Sequence, residues 1–280
     1  MLQRASGLSS AALQAIADLE RLVVDADGGR LKLEWGSLQA RSGNQVEDLL
    51  WWEDDQLLGF LGLYAFGSPI EVAGMVAPAA RRRGIVTALL DAALPLCRHR
   101  GYQQALLVVP RTSVAGRALA LRRGAVPDHS EHALVLLTEP AGGASDPRIG
   151  LRKAGPADAV VVSQLLEAGF GRPAPGLAEQ AASEQELTLL VEMNHLPVGT
   201  LRLARQGDEA GVYGFVVDPA WQGRGIGGDV LRRVCRQLRT EGARRIGLEV
   251  AVDNDRALGL YTSIGFTEVA TEDYYALPVV

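Results

Sequence analysis

From residue 148 onward, apolar and polar positions group into a legible succession of elements. "RIGLRKA", from Arg148, has the alternation of a short strand, and Pro156 to Glu167 carries an apolar stripe at helical spacing. "LTLLVEMNHLPVGTLRLA" is two strand-like runs reversing near Asn194, a hairpin. "GVYGFVVDP" reads as a strand ended by its proline. From Gly228 a helix runs to a stop at Gly242, with Val230, Leu231, Val234 and Leu238 on one face. "RIGLEVAV" is another strand, Asp255 to Ile264 a helix halted by Gly265, and "FTEVA" and "YYALPV" are closing strands. The first half opens with a helix from Ser10 to Val23. A hairpin at Asp48 to Tyr64 follows, then a strand before Pro78, a helix after Gly84 and the strand "ALLVV".

The two halves are copies. "MVAPAARRRGI", from Met75, aligns with "VVDPAWQGRGI", from Val216, at an offset of 141 residues. The offset holds without a gap, pairing Pro78 with Pro219, Gly84 with Gly225, Gly101 with Gly242 and Gly124 with Gly265. Those matches set backbone geometry more than chemistry. A period this long describes a duplicated domain rather than a solenoid. The joint falls in "EPAGGASDP", Glu139 to Pro147. The expected fold is α/β of the α+β kind: two tandem domains, residues 1–140 and 147–280, each a mixed, mostly antiparallel sheet flanked by helices.

Composition narrows the function. The chain has 280 residues, 48% hydrophobic and 22% charged, with a net charge of −5, a globular mixture without the basic stripe of a nucleic-acid binder. Cys97 and Cys235 lie in helix-like apolar runs and read as buried thiols. His99, His129, His132 and His195 lack metal-ligand spacing, so no metal is expected. Neither a signal peptide nor a membrane-length apolar run is visible, which leads to an expected cytoplasmic location and no membrane partner.

Chemistry concentrates in "WQGRGIGG", Trp221 to Gly228, which fits two phosphate cradles at once. As G-x-G-x-x-G it would be a dinucleotide-binding turn, with Glu249 as the acid further on. That fold needs its first glycine at the strand end and several βαβ units. Here Asp218 to Gln222 intervene, and the preceding strands are hairpins. No Lys-Ser/Thr follows the glycines, so a P-loop fails as well. As Q-x-x-G-x-G, the backbone N–H groups from Gly223 to Gly227 converge at a helix start, where orphan donors and the helix dipole favour an anion such as a pyrophosphate.

With "VVDPAWQGRGIGG" followed by "LEVAVDNDRALGLYTSIGF", the second half resembles the GNAT superfamily of acetyl-CoA-dependent N-acetyltransferases. The repeat extends the resemblance to the first half, giving a tandem architecture similar to that of mycothiol synthase. The resemblance implies direct attack of a neutral primary amine, on a small molecule or a peptide, upon the thioester of acetyl-CoA in a ternary complex. Under it, Phe215, Val216 and Val217 pair with the pantetheine arm, and Gln222, Gly223, Arg224, Gly225, Ile226 and Gly227 take the pyrophosphate. Asn254 either caps the next helix or reaches the cofactor. Tyr261, in the string Asn254, Ala257, Tyr261, Gly265, Phe266, is implied as the acid that protonates the departing thiolate, and otherwise as a core tyrosine. Glu249, twelve positions before it, stands where ribosomal-protein alanine acetyltransferases carry a base, and otherwise as an exposed strand residue.

The first half departs where chemistry needs it: Val108, Ser113 and Ala120 stand opposite Glu249, Asn254 and Tyr261. Its cradle reads Arg81, Arg82, Arg83, Gly84, Ile85, Val86 after Met75 and Val76, so it either still holds CoA through its arginines or serves as packing partner or cleft wall. An expected degenerate first domain and a catalytic second one follow, with a non-catalytic acyl-CoA-binding or structural protein as the rival. Tyr274 and Tyr275 are candidates to line the acceptor cleft. Monomer and homodimer both stay open.

Overall fold

The computed structural model describes residues 1–41, 43, 45–65, 69–143, 145–171 and 186–279. They form two compact units, Met1–Glu131 with Ala270–Val280, and His132–Val269. These units do not coincide with the expected halves. Strand β6 (Val126–Leu136) begins in the first unit and ends in the second, while β12 (Thr267–Pro278) does the reverse. "FTEVA" and "YYALPV", expected as two strands, are this single β12. The joint Glu139–Pro147 lies within the second unit. A strand's alternation shows which face is buried but does not name its sheet neighbour.

In the first unit the order is β1 (Leu2–Ala5), β2 (Asp48–Glu53), β3 (Gln56–Tyr64), β4 (Ile70–Val76), β5 (Gln104–Pro110) and β12. Among the described strands there, only β4 and β5 pair in parallel. Its helices are α1 (Ser10–Asp27), α2 (Trp35–Gln39), α3 (Ile85–His99) and α4 (Val114–Arg122). Ser9 starts α1 by accepting from the Ala12 amide at 3.2 Å.

The second unit orders β6, β11 (Arg245–Ala251), β10 (Glu209–Val217), β9 (Leu196–Gln206), β8 (Glu186–Met193) and β7 (Ile149–Lys153), with β10 and β11 parallel and β7 to β10 successively antiparallel. α6 (Ile226–Thr240) and α7 (Asp255–Ile264) cover one face, where Val230, Val234 and Leu238 pack with Val212, Ile246 and Leu248. α5 (Ala159–Phe170) covers part of the other through Val162, Leu165 and Leu166 against Leu190 and Val216. Both hairpins turn on paired positive-φ residues, Asp54–Asp55 and Asn194–His195, the latter where the sequence predicts the reversal. Cys97 and Cys235 are buried and unbridged, and burial pushes the Cys235 thiol up to about 12.

The last strand is bound into the first unit by a buried polar network. Tyr274 donates to Glu131 at 2.7 Å and accepts from the Lys32 ammonium at 2.5 Å. Lys32 also lies 3.5 Å from Glu71 and 3.6 Å from Glu131, and the His129 ring stacks on Tyr274 at 4.1 Å. Tyr274 and Tyr275 are therefore core residues of the first unit, 1% and 5% exposed, rather than cleft lining. Neither position offered a free face, because β12 is packed on both sides.

Asp48 opens β2 fully buried, 3.2 Å from Arg41 Nε, while Glu47 holds the same guanidinium at 2.9 Å. Burial raises its pKa from 3.8 to about 6, opposed by Arg41 and reinforced by Glu47. The folded state thus holds this proton more tightly than the unfolded chain. Its stability contribution is complete below the unfolded value and is lost as pH rises through about 6. The difference corresponds to about 3 kcal/mol. Relative to Asp48→Asn, the wild-type urea midpoint should fall between about pH 4 and pH 7. A wild-type-to-variant difference that is constant with pH would remove Asp48 as the responsible group.

Candidate active site

The site starts where two parallel strands part. β10 pairs with β11 only from Glu209–Arg245 to Gly211–Gly247, and both then run on, to Val217 and Ala251. On the β9 side, β10 is bulged: between the pairs Tyr213–Arg202 and Val216–Thr200, two residues face one. Gly214 makes this possible with φ of +55°. The Asp218 amide donates to Val198, so by alternation Val217 turns its N–H and C=O into the gap between the strands. In the first unit β4 parts from β5 after Val72–Leu107, but its register with β3 runs unbroken from Glu71–Tyr64 to Val76–Gly59. The bulge belongs to the second unit alone among the described strands of these two hairpins.

Past Val217 the chain makes one short turn, Pro219–Trp221, and enters the glycine segment. Gly223 and Gly225 have φ of +78° and +79°, and Gly225 is the N-cap of α6. Having no side chain, it cannot cap, so the first amides of α6 face outward from the helix start without a helical acceptor. A Cβ at Gly227 would come within 3.3 Å of Leu260 on α7 and 3.7 Å of Phe215, so a side chain there would press on both.

The Gln222 side chain is engaged within the loop. Its Nε2 donates to the Val217 carbonyl at 2.9 Å, and its Oε1 accepts from Arg256 at 2.9 Å. Its side chain therefore shapes the cradle rather than pointing to an anion. Arg224 bonds the Ala220 carbonyl and lies over the Trp221 ring, 4.7 Å from its centre. Arg256, which sequence reading passed over, brings a guanidinium against the loop, 3.4 Å from the Cβ position of Gly223. Its signal was present: it stands in the first turn of the helix carrying Tyr261, four residues before Leu260.

Asn254 caps α7, its Oδ1 accepting from the Ala257 amide at 3.1 Å. Tyr261 is 8% exposed, and burial raises its phenol to about 12. Glu249 is half-buried on β11, with Leu248 and Val250 turned to the opposite, buried face. Strand end, cradle and Glu249 adjoin the parting of β10 and β11, and Tyr261 lies in the core that α6 and α7 cover.

The first unit repeats the backbone but not the chemistry. Arg82 and Gly84 take φ of +64° and +83°, matching Gly223 and Gly225 at the repeat offset. Arg81 donates to the Val76 carbonyl, as Gln222 does to Val217, and makes a two-pronged pair with Asp27 at 2.8 and 2.7 Å. Arg83 pairs likewise with Glu53. Two of the three arginines expected to attract an anion are thus matched by carboxylates of their own unit. Val108 and Ala120, buried, replace Glu249 and Tyr261, and Ser113 caps α4.

The acetyltransferase (GNAT) family profile matches residues 11–125 and 160–266. A ribosomal-protein bS18 alanine N-acetyltransferase of Salmonella typhimurium is 38% identical over 68 residues, 24% of this chain and 46% of that protein. A mycothiol acetyltransferase of Beutenbergia cavernae is 42% identical over 67 residues, 24% of this chain and 23% of that one. These matches thus span half or less of the relatives. Among solved structures, a GCN5-related N-acetyltransferase from Sphaerobacter thermophilus aligns with 100% of this chain and 95% of its own, at 19% identity and a TM-score of 0.79. A tandem GNAT protein from the clavulanic acid biosynthesis pathway covers 100% and 98%, at 16% identity and a TM-score of 0.72. At these identities the two structures establish the fold, that of two such domains in one chain.

Substituting Gly227→Val should displace Leu260 and crowd the helix start. CoA affinity, measured by calorimetry, should fall by about tenfold or more while the far-ultraviolet spectrum stays unchanged. Unaltered affinity would mean that no anion approaches this backbone.

Proposed function

Because the chain belongs to the acetyltransferase (GNAT) family, we propose that it transfers an acetyl group from acetyl-CoA to a primary amine, and that the second unit alone does so. What carries this reading is a coincidence found in one copy only. A bulged, parted strand that runs into an uncapped glycine helix start, a half-buried glutamate on the neighbouring strand and a buried tyrosine on α7 occur together there. Bound acetyl-CoA supplies an activated thioester, with its pyrophosphate at the amides of Gly223 to Gly227 and its arm along Phe215 to Val217. The Val217 N–H, turned into the gap, is placed to bond the arm.

In a ternary complex the amine nitrogen attacks the thioester carbon, a nitrogen–carbon bond forms and the carbon–sulfur bond breaks. Glu249 takes the proton the amine gives up, directly or through a water. Tyr261 gives its proton to the departing sulfur. A phenol raised to about 12 stays protonated across the working range, as an acid must. Asn254 adds a contact to the cofactor through the amide end that its capping bond does not use. The acceptor is a small molecule or a peptide terminus. The Salmonella relative, by its name, acetylates an alanine, which makes an alanine α-amine the first acceptor to try.

Tyr261→Phe should lower turnover of an alanine-terminated peptide by about a hundredfold or more, read as free thiol, while leaving acetyl-CoA affinity within about twofold. Wild-type turnover should show no alkaline decline below about pH 10. Unchanged turnover in the variant would remove the acid assignment. Calorimetry with acetyl-CoA should give one site per chain; two would restore binding to the first unit, and none would overturn the proposal.

A further inference from the structure

On the face of the second unit away from α6, two glycines lie side by side at the last rung before the strands part, Gly211 on β10 and Gly247 on β11. Side chains alternate along a strand, so Tyr213 and Glu249, each two residues further on, stand on that same face at the mouth of the gap. Tyr213 is 39% exposed, although it sits in a strand. Its ring folds back over Gly211: a Cβ there would lie 2.4 Å from Cε2 and 2.5 Å from the phenol oxygen. Beside it, among the described residues, a Cβ at Gly247 would meet only two backbone oxygens, Ala210 and Leu134, each at 3.9 Å. The floor next to the ring is therefore backbone among the described residues.

In the first unit the rung that holds the counterpart of Gly247 at the repeat offset, Glu71–Leu106, is filled. Both positions carry side chains, and the Lys32 ammonium sits 3.5 Å from the Glu71 carboxylate. The copy that lost the glutamate and the tyrosine of the site also lost this floor.

We propose that Tyr213 is the acceptor-positioning residue of the second unit, its ring forming one wall of a slot floored by Gly247 and bordered by Glu249. This rests on the transferase reading above. A slot floored by backbone and walled by a ring admits a primary amine on a slender carrier, such as an α-amino amide with a methyl side chain. It excludes an amine on a fully substituted carbon. Tyr213 touches the carrier rather than the reacting bond, so it governs KM for the acceptor more than kcat.

The test uses the full chain labelled with 3-fluorotyrosine, with the Tyr213 and Tyr261 signals assigned through Tyr213→Phe and Tyr261→Phe. CoA should move the Tyr261 signal, and L-alaninamide added to that complex should move Tyr213 saturably. tert-Butylamine should leave Tyr213 in place, and Gly247→Val should abolish the alaninamide response. In turnover, Tyr213→Ala should raise KM for alaninamide by about tenfold with acetyl-CoA KM unchanged. A Tyr261 signal that answers CoA beside a Tyr213 signal unmoved by alaninamide overturns the slot while leaving the transferase standing. Equal movement with tert-butylamine, or movement that survives Gly247→Val, overturns it too. If CoA leaves Tyr261 unmoved, the transferase reading fails, and the slot with it.

Discussion

The parting of β10 from β11 is the constraint on which the site depends. Two parallel neighbours stop pairing after Gly211–Gly247, and every backbone N–H and C=O beyond that rung on the inner edges needs another partner. The protein answers in part with its own side chains. Gln222 reaches back to the Val217 carbonyl and is steadied by Arg256, which fixes the turn that delivers Gly223 and Gly225 to the start of α6. The bulge at Tyr213–Val216 bends the strand as it leaves and moves one extra residue into the gap. Under the proposed function, the cofactor arm supplies the donors and acceptors that complete the edge.

The first unit shows the same backbone closed in upon itself. It keeps the parting, the turn and even the left-handed residue at 82, where a side-chain-bearing residue costs about 1 kcal/mol more than glycine. Arg81 and Arg83, however, pair with Asp27 and Glu53, and one rung before the parting Glu71 meets Lys32, which in turn donates to Tyr274. A charge matched within the fold attracts an external anion far less than one left to solvent. Duplication thus preserved geometry while the two copies diverged in which groups have partners.

That network also explains why the last strand belongs to the first unit. Tyr274 meets Lys32 and Glu131, and Asp273 meets Arg111 and Ser130, so β12 brings polar groups that only this unit satisfies. Burying such groups without partners would cost about 1–3 kcal/mol each. The arrangement selects one sheet for the strand.

Periodicity and turn residues by themselves determined most elements of the second copy, several of the first, and the hairpin at Asn194–His195, because local backbone preference governs them. The repeat offset identified the positions at which the first copy lacks Glu249 and Tyr261. Tertiary structure alone decided which sheet receives β6 and β12, since alternation is blind to neighbours. It also decided that Gln222 holds the strand end, that Asn254 caps α7, and that Arg81 and Arg83 answer carboxylates dozens of residues away in the chain. Arg256 and Tyr213 escaped notice for the same reason. Their places beside the cradle and over Gly211 come from packing between elements, and packing leaves no period in a sequence.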